Sequence, residues 1–162
     1  EMIRLKTSVL IACAVKIGAI LAGASHKDQE NLYKFGEQIG LAFQLQDDLL
    51  DVYGDPKVFG KNIGGDITSN KKTYMLINAL NLANEAQRKE LQYWIAAKDF
   101  DRNEKVKAVT KLYDEIGIRE LCERKRDEYY NCALEYLAKV KVSEERKKEI
   151  KAYAAEMMTR QS

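Results

Sequence analysis

A single proline, Pro56, occurs in 162 residues, and this scarcity is the strongest constraint on the fold. Average usage near 5% would give about eight prolines in a chain of this length. Folds built from many short strands need frequent turns, and proline is one of the main turn residues. Apolar residues recur at helical spacing, and no segment alternates apolar and polar residues as a half-buried strand does. The sequence therefore predicts an all-α fold, an antiparallel helix bundle, with residues 1–162 as one domain.

Apolar periodicity and capping residues place the helices along the chain. The second predicted helix follows a Ser25–Asp28 capping pair and ends near Gly54. The segment from Gly54 to Asn70 holds four of the nine glycines and is predicted to be one mobile connector. An Asp101–Glu104 pair predicts a further cap. The other predicted helices are Met2–Leu21, Lys72–Asn84, Glu85–Ala97, Glu104–Ile116, Ile118–Val140 and Glu144–Arg160.

Charge and hydropathy exclude several classes of protein. Lys and Arg total 27 against 25 Asp and Glu, and a net charge of +2 does not favour nucleic-acid binding. The longest uncharged run, from Thr73 to Asn84, is shorter than the roughly 18 apolar residues that span a membrane. No signal-peptide pattern occurs at the amino terminus, so we expect a cytoplasmic location. Three cysteines, Cys13, Cys122 and Cys132, lack the spacing of a zinc site or a disulfide framework, and we expect buried thiols.

Three aspartates lie in the last two turns of the second predicted helix: Asp47, Asp48 and Asp51. At 100° per residue they share a wedge of about 100°, with Gln44 one turn earlier. The helix dipole disfavours anions at this end, and each like-charge pair costs about 0.2–0.5 kcal/mol. A stabilising partner is therefore expected near these carboxylates.

A solvated acidic face is the ordinary explanation of such a cluster, but two features oppose it. The neighbouring residues 43, 45, 49 and 50 are apolar, which places part of the wedge beside the core or a cleft. The glycine-rich connector follows directly and brings Lys61 and Lys71 towards the same helix end. Carboxylate oxygens suit Mg²⁺, which is commonly held by one or two carboxylates, waters and substrate phosphates. The pattern predicts a site for a metal ion and a diphosphate.

Residues 43–51, Phe-Gln-Leu-Gln-Asp-Asp-Leu-Leu-Asp, resemble the second aspartate-rich motif of the trans-prenyl diphosphate synthases, the polyprenyl synthetase family. The resemblance is to short-chain members that make farnesyl or geranylgeranyl diphosphate. It is strong from Lys6 to Tyr74 and loose beyond Asn84. Other segments that resemble family motifs are Gly36 and Gly40, Lys6-Thr7, Gly60-Lys61, and Gly65-Asp66 through Lys71 to Thr73.

The resemblance implies part of an isoprenoid synthase fold and an Mg²⁺-dependent prenyltransferase of isoprenoid biosynthesis. Such an enzyme condenses an allylic diphosphate with isopentenyl diphosphate, and the resemblance also implies a homodimer. By this resemblance Asp47 is the main metal ligand, supported by Asp48 and Asp51. The implied diphosphate-binding residues are Lys6, Lys61 and Lys71, and those facing the developing carbocation are Thr7 and Gln44.

The sequence departs from the family pattern in one respect. Family members carry a first aspartate-rich motif before the Lys-Thr segment, and no such cluster occurs in residues 1–162. We therefore expect this chain to be the carboxyl-terminal part of a synthase, to supply half of the active site and to be inactive alone. Two alternatives stay open: a non-catalytic helical subunit that binds and modifies a complete synthase, and a structural helical domain with a solvated acidic face.

Overall fold

The computed structural model describes residues 1–55 and 63–159, which contain helices and no strands. This confirms the predicted all-α class. Pro56, Lys61 and Arg160 lie outside the described residues. A π-helical turn, Arg4–Ser8, precedes α1 (Val9–Leu21), α2 (His26–Tyr53), α3 (Gly65–Thr68), α4 (Tyr74–Leu82), α5 (Glu85–Ala96), α6 (Arg102–Ile116), α7 (Ile118–Ala138) and α8 (Glu144–Thr159).

The described residues divide into two compact units. The first unit contains residues 1–46 and 125–159, and the second contains residues 47–124. Helices α2 and α7 each contribute residues to both units. None of the helices in the described ranges is long and apolar enough to cross a membrane.

The first unit is built around apolar residues of α2, α7 and α8. Phe35 and Ile39 of α2 pack with Ala133 and Leu137 of α7 and with Ala154 of α8. A spacing of four residues on α2 and on α7 places each pair on one helix face, which explains why those faces are buried. The π-helical turn and α1 pack on another part of α2.

The second unit is organised by α6, which contacts α3, α4 and α5. Its buried residues Val109, Leu112 and Tyr113 form the apolar face. Met75 of α4 and Leu91 of α5 are also buried in this unit. Helix α6 therefore lies beneath the segment that leads from α3 to α4.

Capping side chains set several helix boundaries. The Asp101 carboxylate accepts from the Glu104 N–H at 2.9 Å, as predicted, and the Ser25 hydroxyl accepts from the Asp28 N–H at 3.2 Å. The prediction of a helix from Lys72 was wrong by two residues, because the Thr73 hydroxyl caps α4 by accepting from the Leu76 N–H at 3.1 Å.

Two other expectations need correction. The predicted single connector contains the short helix α3, whose four residues are too few for a periodic pattern. Of the three cysteines, Cys122 is buried as predicted, whereas Cys13 and Cys132 are half-buried. All three are free thiols.

Candidate functional site

The end of α2 carries a buried carboxylate that is paired with a lysine. Asp48 is only 7% exposed, and its Oδ1 accepts a hydrogen bond from Lys71 Nζ at 3.2 Å. The same ammonium donates to Asp66 Oδ2 at 2.7 Å. One lysine therefore bridges two carboxylates from different parts of the second unit, which confirms that the acidic wedge is not fully solvated.

Asp51 organises the backbone that carries Asp66. Its Oδ2 accepts from the Asp66 N–H at 2.8 Å, and its main-chain oxygen accepts from the Gly64 N–H at 2.6 Å. A Cβ on Gly65 would lie 3.2 Å from Asp51 Oδ1, so this carboxylate lies tightly against α3. Asp51 satisfies a backbone donor that the first turn of a helix leaves without an intrahelical partner.

Burial dominates the electrostatics of the two aspartates of α2. It raises the pKa of Asp48 to about 6, although Lys71 opposes the shift. Burial also raises the pKa of Asp51, partly offset by the hydrogen bond from the Asp66 N–H. Burial would lower the pKa of Lys71, but the Asp66 and Asp48 carboxylates outweigh it and raise that pKa. Three carboxylates thus lie close to a single ammonium, and a cation bound beside them would favour their ionised forms.

The geometry limits how a metal ion could be held. Within residues 1–55 and 63–159, no group of three or more Asp, Glu, His or Cys side chains converges closely enough to hold a metal by itself. A fully protein-made cage is therefore absent from these residues. Mg²⁺ commonly takes one or two carboxylates and completes its octahedron with waters and phosphate oxygens. The donor chemistry of Asp48 and Asp51 fits such an ion.

The Lys6-Thr7 pair lies in the first unit, in the π-helical turn Arg4–Ser8. A Cβ on Gly40 of α2 would lie 2.5 Å from Ser8 Cα. The turn after Thr7 is thus in close contact with α2, and Ser8 is fully buried there. Single-turn π segments are rare and are frequently found at functional sites.

An ion pair between Arg4 and Glu37 connects the start of the chain to α2. Arg4 Nη1 donates to Glu37 Oε1 at 2.9 Å, and Lys34 Nζ donates to Glu37 Oε2 at 2.8 Å. Glu37 is only 5% exposed, and although burial opposes it, these two cations lower the pKa of its carboxyl. Lys6 itself is exposed and Thr7 half-buried.

The structure distributes the predicted site residues between the units. Lys6, Thr7 and Gln44 belong to the first unit, and Gln44 is half-buried on α2. Asp47, Asp48, Asp51 and Lys71 belong to the second, where Asp48 and Lys71 are in direct contact. Asp47 is half-buried. Lys61 lies outside the described residues.

Two residues on the elements around the end of α2 were not among the predicted site residues. Asp66 accepts from Lys71, and the Gly65-Asp66 match to a family motif was the available signal. Tyr113 of α6 is 2% exposed, and burial together with the Asp66 and Asp48 carboxylates raises its pKa. No sequence signal distinguished Tyr113 from an ordinary core residue.

A family profile described as Polyprenyl synthetase matches residues 1–113. The chain belongs to the polyprenyl synthetase family. The geranylfarnesyl diphosphate synthase of Aeropyrum pernix is 34% identical over 150 residues, which are 93% of this chain and 46% of that protein. The short chain isoprenyl diphosphate synthase of Methanocaldococcus jannaschii is 38% identical over 112 residues, which are 69% of this chain and 34% of that protein.

Solved structures agree with this family assignment. A crystal structure of a geranylgeranyl pyrophosphate synthase matches with a TM-score of 0.90 and 38% identity, over 99% of this chain and 50% of that one. A Corynebacterium glutamicum geranylgeranyl pyrophosphate synthase, complexed with isoprenyl diphosphate and magnesium, matches with a TM-score of 0.85 and 30% identity. That match covers 96% of this chain and 44% of the other. This polyprenyl synthetase chain spans half or less of the length of these relatives.

Proposed function

We propose that this chain supplies the second aspartate-rich part of the active site of an Mg²⁺-dependent prenyl diphosphate synthase. The observation that carries the proposal is the Lys71 ammonium between Asp48 and Asp66 at the end of α2. Buried carboxylates and an ammonium group side by side form a mixed-charge site. Such a site suits a metal ion and a diphosphate together, since each needs a partner of opposite charge.

In this proposal Asp47 is the main Mg²⁺ ligand, and Asp48 and Asp51 support it directly or through water. The bound ion would supply positive charge to the diphosphate oxygens. Lys71 binds the diphosphate of the allylic substrate, because an ammonium is a compact point charge suited to phosphate. Its hydrogen bonds to Asp48 and Asp66 place that charge before the substrate arrives. Lys61 is proposed to bind the same diphosphate.

Lys6 is also proposed to bind the allylic diphosphate, on the ground of the family resemblance. Thr7 and Gln44 are proposed to face the allylic cation that forms when the carbon–oxygen bond breaks. Isopentenyl diphosphate then adds its double bond to that cation, and loss of a proton gives the longer prenyl diphosphate. Preorganised charges at the leaving group lower such a barrier, because they need no rearrangement as negative charge develops.

The share of the reaction that this chain performs is also part of the proposal. The chain spans about half of the relatives' length and contains one aspartate-rich motif. We expect the chain alone to form no prenyl product from an allylic diphosphate, isopentenyl diphosphate and Mg²⁺. Product formation by the chain alone would show that the second aspartate cluster is sufficient.

Homodimer formation belongs to the same proposal. Leu10, Ile17 and Leu21 of α1 are 74%, 56% and 84% exposed, which is unusual for large apolar side chains at helical spacing. Sedimentation velocity at increasing protein concentration tests this association. The cytoplasmic location stays a prediction.

The binding site is tested by Mg²⁺ and inorganic pyrophosphate added to the 162-residue chain. A ligand at 100 times its Kd stabilises a folded protein by about 2.7 kcal/mol, which raises the melting temperature by several degrees. We expect this rise to require both additives, and Asp47→Asn and Asp48→Asn to abolish it.

Asp99→Asn is the matched control, because Asp99 is an exposed aspartate of the second unit that does not belong to α2. This variant should show the full rise. An equal rise in wild type and Asp48→Asn would contradict the proposed site. No rise in the wild type would favour the alternative of a structural helical domain, in which the pairing of Asp48 with Lys71 serves stability alone.

A further inference from the structure

A buried lysine on α6 lies directly beneath the turn that carries Lys71. Lys105 is only 1% exposed. Its Nζ donates to Asn70 Oδ1 at 2.8 Å and lies 4.2 Å from the centre of the Phe100 ring. The hydrogen bond goes to a neutral amide, and burial lowers the pKa of Lys105. Placing an ammonium in such surroundings costs free energy, so a buried lysine with a neutral acceptor calls for an explanation.

Asn70 has an unusual backbone conformation. Its φ is 53°, which lies in the left-handed region of the backbone. Residues other than glycine adopt this conformation uncommonly. Asparagine tolerates this conformation better than most residues. The contacts of the Asn70 side chain are therefore expected to help hold the backbone in this left-handed turn.

Both ends of the Asn70 side chain are hydrogen-bonded. Nδ2 donates to the main-chain oxygen of Ile95 at 3.0 Å, while Oδ1 accepts from Lys105. An ammonium only donates and a carbonyl oxygen only accepts, so these two partners determine the orientation of the amide. Lys105 thus connects the turn at Asn70 to α6.

The left-handed turn directs the next residue back to the carboxylates. The Lys71 N–H donates to the main-chain oxygen of Asp66 at 2.9 Å, and Lys71 Nζ contacts Asp66 and Asp48. A single peptide bond separates Asn70 from Lys71. A change in the backbone angles of Asn70 would therefore move the ammonium of Lys71.

The helix face that carries Lys105 also contacts the start of the segment from residue 63 to residue 70. Arg102 Nη2 donates to the main-chain oxygen of Ile63 at 2.6 Å. A Cβ on Gly64 would lie 2.5 Å from a methyl carbon of Val106. Arg102, Lys105 and Val106 are spaced by three and four residues and share one helix face. This face contacts residues 63–64 at one end of the segment and Asn70 at the other.

We propose that Lys105 is a positioning residue that holds Asn70 in its left-handed turn and thereby holds the Lys71 ammonium where it meets a diphosphate. The proposal rests on the proposed function for the role of Lys71. Lys105 does not touch the diphosphate in this scheme. Its effect on binding passes through Asn70 and Lys71.

The test measures the Kd of inorganic pyrophosphate with Mg²⁺ for the 162-residue chain by calorimetry. Lys105→Met keeps the length of the side chain but removes the charge and the hydrogen bond to Asn70. We expect it to weaken pyrophosphate binding about tenfold, as the loss of one charged hydrogen bond would. Lys107→Met is the matched control, because Lys107 is an exposed lysine of the same helix, and it should bind as the wild type does.

A double-mutant cycle separates positioning from general destabilisation. In a Lys71→Met background, Lys105→Met should change the Kd less than twofold, because its route to the ligand is already removed. An independent tenfold loss in that background would overturn the proposal. Asn70→Gly keeps access to the left-handed turn but removes the contact, so Lys105→Met should have little further effect there as well.

Amide hydrogen exchange tests the turn without any ligand. Lys105→Met should speed exchange at the amides of Lys71 and Thr73, both donors in this segment, while Lys107→Met should not. Unchanged exchange and an unchanged Kd in Lys105→Met would overturn the positioning role alone. Failure of the wild-type chain to bind pyrophosphate with Mg²⁺ would instead overturn the proposed function, and with it the role of Lys71 in the proposal.

Discussion

A Cβ placed on Gly40 would lie 2.5 Å from Cα of Ser8, a distance that non-bonded carbon atoms do not tolerate. The same face of α2 repeats the arrangement one turn earlier, where a Cβ on Gly36 would lie 2.8 Å from Cα of Ala12. The obstacle is backbone in both cases, so it cannot rotate away. These two glycines let α2 approach the π-helical turn and α1 within the first unit.

Gly40→Ala is therefore expected to destabilise the chain by about 1–3 kcal/mol, the usual cost of overpacking a tight contact. Urea unfolding followed by circular dichroism measures the change. Gly18→Ala on α1 is the matched control, because a Cβ there meets nothing within 4 Å and alanine favours a helix. That variant should be stabilised by about 0.5–1 kcal/mol. Equal stability of the two variants would show that Gly40 does not set the approach.

The sequence could predict the helices because periodicity and caps are local signals. The predicted end of α2 near Gly54 agrees with the observed Tyr53, and the predicted bounds of Glu85–Ala97 differ from those of α5 by one residue. The π-helical turn Arg4–Ser8 was predicted as ordinary helix. Its spacing differs from that of an α-helix over only five residues, which is too short to change an apolar pattern.

The contact between Asp48 and Lys71 was predicted only in part. The two residues are 23 positions apart, and no local signal gives their distance. An acidic helix end followed by a lysine-bearing connector predicted that Lys61 and Lys71 would lie near it, but it did not predict which lysine would pair with Asp48. The second carboxylate that accepts from Lys71, that of Asp66, lies on α3. The side chain of Asp51, on α2, accepts from an N–H in the first turn of α3.

Lys105 shows why the supporting residues could not be predicted. Charged residues near a helix start are usually solvated, so the sequence gives Lys105 no special weight. It does fall in register with the buried Val109 and Leu112, at four and seven residues further along α6. Register alone cannot distinguish a buried ammonium from a lysine that extends its charge into water, because the difference lies in the Asn70 acceptor.

Asp28 predicts a pH dependence of stability within the first unit. Its Oδ1 accepts from the Lys141 N–H at 3.0 Å and its Oδ2 from the Ser25 hydroxyl at 2.7 Å. These hydrogen bonds lower the pKa of Asp28 in the folded chain. A lowered carboxyl pKa stabilises the fold above the unfolded pKa near 3.8, and this contribution is lost as pH falls through the folded pKa.

Asp28→Ala should therefore lower the melting temperature at pH 7, and the difference from wild type should shrink below pH 4. Melting curves at pH 7, 5 and 3 measure it. Asp127→Ala is a suitable comparison, because that aspartate is exposed on α7. A wild-type advantage that stays constant down to pH 3 would contradict the assignment of the effect to ionised Asp28.

The hydroxyl of Tyr53, at the end of α2, is expected to contribute to the stability of the second unit. Its hydroxyl donates to Asp114 Oδ1 at 2.9 Å, and the Arg119 guanidinium lies 4.8 Å from its ring centre. Tyr53→Phe keeps the ring and its contact with Arg119 but removes the hydrogen bond. We expect a loss of about 0.5–1.5 kcal/mol in urea unfolding, the usual net value of one hydrogen bond. Tyr53→Leu, which also removes the aromatic ring, should lose more.

Asp51 has two roles that a pair of variants can separate. Its carboxylate accepts from the Asp66 N–H, a structural contact, and it is also a proposed Mg²⁺ ligand. Asp51→Asn keeps an oxygen acceptor for the N–H but removes the charge. Asp51→Ala removes both. We expect Asp51→Ala to lose about 1 kcal/mol of stability, as the loss of a helix cap does, and Asp51→Asn to lose only a few tenths.

The two variants should behave alike towards the metal ion. Neither should show the rise in melting temperature that Mg²⁺ and pyrophosphate produce in the wild type, because an amide oxygen lacks the charge that Mg²⁺ requires of a ligand in this site. A full rise in Asp51→Asn would show that Asp51 only orders α3, and that Asp47 and Asp48 bind the ion without it. Loss of the rise in a stable Asp51→Asn chain would separate the metal role from the structural one.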